Sequence, residues 1–423
     1  MSRRILLITL LTIIGWSKLT AQEVLTLEKA LEVAFQHSPA LIQSKMSLEQ
    51  QQLNLKAQNA SLKSQFSLDV NPFNYTRNNQ YDNYNSRWYA NESMSSSASL
   101  GIVQPIKWTD GTISLINDLS WQDASNKTDN RKSTSFNHNL SLRLEQPLFT
   151  YNRTKMQLKE LEYALENAKI SYAMQELNIE KQVTTQFYEV YQKQKDLNTA
   201  KDEYNNQKQN YEIIKNKVEA GLVAKEEQFQ AEVNLATSES AVYNAEISYE
   251  NTKDNFKLLL GVSLDEDIMV LPNTAINTIN VNSMDAVKYA LDQRMELRQK
   301  EITLEEDLFS IIRAKSENEF KGSISARIGL DALAGKVKDM YSNPTDNEQI
   351  GVSLNIPIFD WGAKKARVKS SELAMESNKV DFEEEKKNII LEVRQICRNL
   401  PTLIRQIEIK KKSIENAEHT YEI

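Results

Sequence analysis

The chain has 423 residues, of which 26% are charged, and its formal net charge is −7. This mild acidity argues against a nucleic-acid-binding protein, because such proteins usually carry a concentrated basic patch. The single cysteine, Cys397, excludes an intrachain disulfide bond and a metal cluster built from cysteines.

Residues 1–21 have the pattern of a secretory signal peptide. Two arginines precede an apolar stretch from Ile5 to Trp16, and Leu19-Thr20-Ala21 supplies a small-residue cleavage site. The apolar stretch is shorter than the roughly 20 residues that a helix needs to span a bilayer. No later stretch is apolar enough for a transmembrane helix. We therefore expect an exported chain that can enter a membrane only through β-strands.

Residues 22–63 and 283–320 are predicted to form helices. In the first segment, apolar residues from Leu27 onward share one helical face. Pro39 suits the first turn of a second helix, where its missing N–H costs nothing. The same apolar pattern returns from Ala286 onward. This return is one sign of an internal duplication.

Alternating apolar and polar side chains predict β-strands over residues 64–148 and 321–358. Phe66, Leu68 and Val70 alternate with polar residues, and similar runs follow in both segments, about six in all. Alternation of this kind indicates a strand with one apolar and one polar face.

The alternating strands have two interpretations. One is an ordinary antiparallel sheet with one face in water. The other is a transmembrane barrel with an apolar outer and a polar inner surface. Residues 71–97 and 122–137 are polar and rich in Asn and Ser, so we interpret them as long extracellular loops, which favours the barrel. A tight-turn signal at Asp110-Gly111 separates two of the runs.

A seven-residue repeat over residues 149–260 predicts a long antiparallel coiled-coil hairpin. Gly221 separates its two helices, which places the tip at residues 219–225, and residues 261–282 form the connection that follows. The seam positions of the two helices are Val183, Val190, Leu197, Tyr204, Tyr211 and Val218, followed by Leu235, Val242, Tyr249 and Phe256.

The stretch that begins the hairpin occurs twice, about 210 residues apart. Pro147 and Phe149 open the first copy, and Pro357 and Phe359 open the second. Residues 359–423 are therefore predicted to form the outgoing helix of a second hairpin, with a kink at its internal proline. The tip and return helix of that hairpin would fall at about positions 431–471 by the same offset, so we expect a truncated second hairpin.

The order of these features resembles the TolC-like family of outer-membrane efflux proteins. The resemblance covers essentially all of the mature sequence. It rests on the duplicated halves and on short motifs at the strand-to-helix junctions, at the hairpin tip and at the hairpin end. These motifs are Pro147-Leu148-Phe149-Thr150-Tyr151-Asn152, Pro357-Ile358-Phe359-Asp360-Trp361-Gly362, Gly221-Leu222-Val223-Ala224-Lys225-Glu226-Glu227 and Leu258-Leu259-Leu260-Gly261.

The resemblance implies an α+β membrane protein that assembles as a homotrimer. Three chains of this family close one β-barrel in the outer-membrane lipid, with four strands per chain, and one α-helical tube in the periplasm. The implied function is a passive duct of a tripartite efflux or type I secretion system, with a periplasmic adaptor and an inner-membrane pump as partners. The sequence contains no Walker-type loop and no G-x-G-x-x-G, H-E-x-x-H or Cys-x-x-Cys motif, so we expect no catalytic residue, cofactor or metal site.

The hairpin tip is the candidate docking site for the adaptor. The residues that would carry docking are Gly221, Leu222, Val223, Glu226 and Glu227. The alternative is purely structural, because Gly221 can end one helix and the glutamates can stabilise the start of the next through its dipole.

Two other functions remain open from the sequence. One is a coiled-coil structural protein of the periplasm or cell surface, with a soluble sheet. The other is a truncated remnant of the channel without function. His37, His138 and His419 are far apart in the sequence, so they are not expected to form a metal site.

Overall fold

The computed structural model describes residues 23–84, 86–126, 131–275 and 278–422. The predicted signal peptide lies outside the described residues. Contacts divide the chain into two units, which are described separately below. The first comprises Met1–Glu49 and Ala168–Asn280, and the second comprises Gln50–Asn167 and Val281–Ile423.

The first unit is built around a long helical hairpin. Helix α3 has 67 residues and is therefore about 100 Å long at 1.5 Å per residue. Helix α4 follows it after a short turn. The elements that contribute to this unit are β1 (Glu23–Leu25), α1 (Leu27–His37), the start of α2 (Pro39–Ser61), α3 (Arg153–Glu219) from Ala168 onward, α4 (Lys225–Leu260) and β6 (Ile268–Val270).

An apolar core joins the base of this hairpin to the first elements of the chain. Strand β1 pairs in parallel with β6. The rings of Phe187 on α3 and Phe256 on α4 meet edge to face with centroids 6.2 Å apart. Ala30 and Ala34 of α1 are fully buried in the same core. Small side chains on α1 thus allow it to lie close against the hairpin.

The predicted coiled-coil seam is the face that the hairpin buries. Val183, Val190 and Leu197 are buried on α3 and Phe256 is buried on α4, while Leu235, Val242 and Tyr249 of the α4 seam are half-buried. The heptad spacing therefore predicted correctly which sides of the two helices face inward.

Two buried lysines near the end of α4 are satisfied by acidic neighbours. The ammonium of Lys253 lies 2.9 Å from Glu250 and 3.3 Å from Asp267. That of Lys257 lies 3.1 Å from Asp254 and donates to the Leu264 carbonyl at 2.8 Å. Burial alone would lower the pKa of Lys253, but its bonds to the two carboxylates outweigh burial and raise that pKa above its ordinary value.

One antiparallel sheet of six strands dominates the second unit. The strand order is β2-β3-β4-β5-β7-β8, so each strand of this sheet lies beside the one that precedes it in the sheet along the chain. The strands are β2 (Gln65–Asp82), β3 (Arg87–Ile106), β4 (Gly111–Asn126), β5 (Arg131–Leu148), β7 (Lys321–Ala334) and β8 (Thr345–Asn355).

The six strands agree with the about six alternating runs in the sequence and correct the count of four per chain that the resemblance implied. Strands β3 and β4 form an additional hairpin in the first half of the chain. Its turn lies at residues 107–110, where the sequence predicted a tight turn, and Asp110 adopts a φ of 61°. The first half therefore contributes four strands, whereas the second half contributes two.

The prediction of long loops at residues 71–97 and 122–137 is wrong. Most of these residues continue the strands on either side, and β2 stays paired with β3 as far as Asp82 and Arg87. The pairing persists because backbone hydrogen bonds do not require apolar side chains. Polar residues occupy both faces over much of these stretches, so the regular alternation that marks a half-buried strand is lost.

Among the described residues, three whole helices accompany the sheet in the second unit, together with the end of α2 and the start of α3. The whole helices are α5 (Ser283–Gln293), α6 (Met295–Ser316) and α7 (Ala363–Glu422). Helix α6 is held to the start of α3 by ion pairs from Arg298 to Glu166 at 2.7 Å and from Arg313 to Glu160. Helix α7 continues through Pro401, and the kink expected there stays a prediction.

Candidate functional site

The six-stranded sheet has one face that carries apolar side chains and exposes them. A cross-strand row runs through Phe66, Ile102, Leu115, Leu142 and Ile328, each opposite the next in the backbone register. Most of these side chains are exposed. Because exposed apolar surface costs about 25 cal/mol per Å² in water, so wide an apolar face indicates an apolar environment.

The opposite face of the sheet is polar. One row runs from Val103 through Ser114, Arg143 and Arg327 to Gln349. Serine, asparagine, threonine and glycine occupy most other positions of this face. Ser141 on this face is fully buried (0% exposed). This arrangement inverts that of a soluble sheet, whose buried face is apolar.

A β-bulge keeps aromatic side chains on the apolar face. The register between β2 and β3 shifts by one residue between Asn71 and Asn74, so Tyr75 points to the same side as Val70. Beyond it this face carries an ion pair, in which Arg77 lies 3.6 Å from Glu92 on β3. Farther along the β2–β3 hairpin, the same face carries the rings of Tyr81 and Trp88, whose centroids are 5.2 Å apart. The apolar band is therefore interrupted by a charged pair before the hairpin ends.

The first strand-to-helix junction follows Pro147 and is tied to the additional hairpin turn by hydrogen bonds. Asn152 accepts a hydrogen bond from the Lys155 N–H at 2.7 Å and donates to the Lys107 carbonyl at 2.8 Å. Asp110 accepts from the Thr154 N–H at 3.1 Å. The extra β3–β4 turn thus supplies a carboxylate to the first turn of α3, where anions are favoured.

Phe149 takes an uncommon backbone conformation at this first junction. Its φ is 59°, a region that bulky residues rarely adopt. Its ring lies 5.1 Å from that of Phe320, measured between centroids. This aromatic contact holds the end of β5 against the start of β7.

The second junction, after Pro357, uses a single aspartate as its cap. Asp360 accepts from the backbone N–H groups of Gly362 and Lys364, both at 2.9 Å. Positive φ falls at Trp361 (57°) and Gly362 (85°), whereas Phe359 does not share the conformation of Phe149. The two copies of this motif are therefore similar in sequence but differ in backbone.

Hydrogen bonds to Asp360 make the start of α7 sensitive to acid. The N–H groups of Lys364 and Gly362 stabilise its carboxylate and lower its pKa. The pKa of Asp360 is therefore lower in the folded than in the unfolded chain. Its stabilisation of the start of α7 is complete above the unfolded pKa, about 3.9, and is lost as the pH falls through the folded pKa.

We predict that Asp360→Asn speeds amide hydrogen exchange at Lys364 at pH 7. At pH 2–3, the exchange rates of the Lys364 amide in the parent and in the variant should become similar. The other junction is an internal control, because the Asn152 amide that caps Lys155 does not titrate. A difference at Lys364 that is unchanged from pH 7 to pH 2 would contradict this account.

The hairpin tip brings the five predicted docking residues together. Gly221 has a φ of 72°, and the N–H of Leu222 donates to the Lys217 carbonyl at 2.8 Å, which ends α3. Leu222 is 74% exposed. Glu226 and Glu227 lie in the first turn of α4, where the helix dipole favours acidic side chains. The tip thus presents an exposed apolar residue beside acidic ones.

Helix α4 starts without a side-chain cap. Ala224 holds the N-cap position in an extended conformation and offers no side-chain acceptor. We predict that Ala224→Ser stabilises the first turn of α4 by about 0.5–2 kcal/mol, because the serine hydroxyl can accept a hydrogen bond from a backbone N–H of that turn. Native-state hydrogen exchange at Glu226 and Glu227 measures this gain. Ala220→Ser, at the end of α3, should change the same amides by only a few tenths of a kcal/mol.

Among the described residues, no group of three His, Cys, Asp or Glu side chains is placed to hold a metal ion. Within the same part of the chain, no helix is both long and apolar enough to cross a membrane. The sequence reasoning missed Arg143 and Arg327, which become neighbours only through the register of β5 and β7.

Comparison with known proteins agrees with this architecture. The family model described as outer membrane efflux protein matches residues 112–262 and 310–423. No curated protein matches the chain.

Several solved structures of bacterial outer-membrane proteins share the fold. The CmeC outer membrane channel of Campylobacter jejuni is 16% identical, with 94% of this chain and 75% of that chain covered and a TM-score of 0.65. The outer membrane protein VceC of Vibrio cholerae is 15% identical, with 93% and 83% covered and a TM-score of 0.63. The MtrE outer membrane channel of Neisseria gonorrhoeae is 14% identical, with 94% and 79% covered and a TM-score of 0.60. At these identities, the likeness concerns the fold.

Proposed function

The chain belongs to the outer membrane efflux protein family, and we propose that it is the passive outer-membrane channel of an export system. In this proposal, the sheet lies in the outer membrane and the helical hairpin lies in the periplasm. Transport energy comes from an inner-membrane pump, which a periplasmic adaptor connects to the channel. The system is either a tripartite efflux pump or a type I secretion system.

The observation that carries this proposal is the inverted sheet. Its apolar face is exposed, and its polar face contains the buried Ser141. A soluble sheet with this distribution would expose a large apolar surface to water, whereas in a bilayer that surface faces lipid. The structural alternative, a soluble coiled-coil rod, leaves the apolar face without a partner.

Closure of the sheet requires more than one chain. Strands β2 and β8 are its two edges, and open strand edges are not tolerated in lipid because their backbone groups lack hydrogen bonds. A homotrimer removes the edges by pairing β2 of each copy with β8 of the next. Three copies of a six-stranded sheet give a barrel of about 18 strands, in the size range that encloses an aqueous channel.

Membrane extraction and conductance test the channel directly. The full-length protein, expressed in a Gram-negative host, should require detergent for extraction and should show the mass of three chains by native mass spectrometry. In planar bilayers it should produce stepwise ion conductance. A protein that leaves the membrane fraction without detergent and stays monomeric would overturn the proposal and favour the rod.

The tip is proposed to dock the adaptor. Gly221→Asp adds a charge beside Leu222, and its Cβ would meet no atom within 4 Å. Aspartate also tolerates positive φ better than most residues. We predict that, in this variant, photo-crosslinking of a probe at Val223 to the adaptor falls by at least about tenfold. The variant should still form trimers.

Gly221→Asn is the matched control for the tip. Asparagine has nearly the same size and also tolerates positive φ, but it adds no charge. It should therefore retain most of the crosslinking. Equal crosslinking of the parent and the aspartate variant would reject adaptor docking through Gly221 and favour its purely structural role in ending α3.

A further inference from the structure

Two arginines lie side by side on the polar face of the sheet. Arg143 on β5 is directly opposite Arg327 on β7 in the backbone register. Their outer neighbours in the same row, Ser114 and Gln349, are uncharged. Like charges directly opposite each other destabilise an antiparallel pair, so the strands alone give no reason for this placement.

Both guanidinium groups have an unsatisfied donor. The Nε atoms of Arg143 and Arg327 are buried and have no hydrogen-bond partner among the described residues. The two arginines line one open cavity of about 240 Å³, together with Glu145, Ser325 and Gln349. A cavity beside two unpaired N–H donors suits a ligand that accepts hydrogen bonds and carries negative charge.

We propose that Arg143 and Arg327 form a binding site for oxyanions, meaning the carboxylate or phosphate groups of a solute that passes along the polar face. This inference rests on the proposed channel, in which the polar face lines the lumen. Guanidinium groups match the geometry of such oxyanions through paired N–H donors. Three copies would place six arginines around the lumen.

The neighbouring acidic groups limit the strength of this site. Glu145 lies on the same cavity and leaves a net charge of about +1 across the three side chains. Asp331, four residues after Arg327, instead accepts hydrogen bonds from Asn139 and from Asn347, the latter at 2.9 Å. Weak binding suits a conduit, because a solute must also leave the site.

Conductance of the reconstituted full-length protein tests this site. The reversal potential in a KCl gradient measures the anion preference of the channel. Inorganic phosphate or acetate is then added to one side, and block of the current shows that it binds. We expect the R143Q/R327Q double variant to lose anion preference and to need at least tenfold more phosphate for half-block. The single variant K132Q is the control, because Lys132 pairs with Asp123 at 3.2 Å outside the arginine row.

A second double variant keeps the inference testable if R143Q/R327Q does not assemble. R143K/R327K retains both charges but lacks the Nε donors, so it should keep anion preference and lose most of the phosphate block. Phosphate and acetate that leave the parent current unchanged, or a glutamine variant that behaves like the parent, would overturn the inference.

A parent protein without any conductance would contradict the proposed channel instead. Phosphate binding to the detergent-solubilised protein, measured by equilibrium dialysis, then tests the arginine site independently of conductance. The two arginines belong to one chain, so binding that survives in the parent and disappears in R143Q/R327Q supports the site. No phosphate binding to the parent overturns it.

Discussion

Replacing Gly261 with alanine is expected to cost about 2–5 kcal/mol of folding free energy in the core of the first unit. Gly261 ends α4 with a φ of 76°. A Cβ at this position would lie 2.1 Å from the carbonyl oxygen of His37 and 3.2 Å from Cδ of Pro39. The estimate adds about 1–2 kcal/mol for a left-handed alanine to about 1–3 kcal/mol for overpacking.

The clash at Gly261 cannot be relieved by rotation of a flexible side chain. The carbonyl of His37 belongs to the backbone where α1 ends, and the next residue, Ser38, is buried. The first unit must therefore separate α1 from the end of α4 to accommodate the new methyl group. Hydrogen exchange of the core amides, including Phe187 and Phe256, measures the resulting loss of stability.

Gly221→Ala is the matched control for this prediction. Gly221 has nearly the same φ, 72°, but a Cβ there meets no atom within 4 Å. Its cost should be about 1–2 kcal/mol from the backbone alone and should stay local to the tip. Equal effects of the two substitutions on the core amides would show that the close approach to His37 does not matter for stability.

Val352→Arg is the second substitution for which we expect a large effect. Val352 lies on the apolar face of β8 and is 67% exposed. In a bilayer, an arginine at this position would enter the hydrocarbon region. We expect a cost of about 2–4 kcal/mol, as for arginine near the midplane on the lipid face of a barrel. Urea titration of the protein folded into lipid vesicles measures this cost.

Ser353→Arg separates the effect of the membrane from the effect of the substitution. Ser353 is the next residue on the same strand and is also exposed, but it belongs to the polar face. In the proposed channel, its arginine would lie in water and should change stability by at most about 0.5 kcal/mol. A soluble sheet would tolerate both arginines equally, so similar costs for the two variants would contradict the lipid-facing assignment.

The long helices and the core of the first unit were predictable from the sequence. Heptad positions such as Val183 and Val190 are buried, and Gly221 ends α3 as its position suggested. These signals are local, because the period of a helix and the conformational preference of glycine act within a few residues. The family followed from the order of such local signals and is confirmed by the family match.

The full extent of the sheet was not predictable in the same way. Alternation indicated the strands only where one face is apolar, as at Phe66 and Leu68. Further along β2, Asn78 opposes Asn91 and both faces are polar, so only the backbone pairing reveals the strand. The arginine pair was hidden for a different reason, since Arg143 and Arg327 are distant in sequence and meet only through the register.

Spin-label accessibility along β8 in lipid vesicles is the most direct test of the two-faced sheet. Single cysteines from Ile350 to Asn355, introduced after replacement of Cys397 by serine, would carry the label. We predict that even-numbered positions are accessible to oxygen dissolved in the lipid and that odd-numbered positions are accessible to a water-soluble nickel chelate. Uniform access of the chelate to all six positions would contradict a lipid-facing sheet.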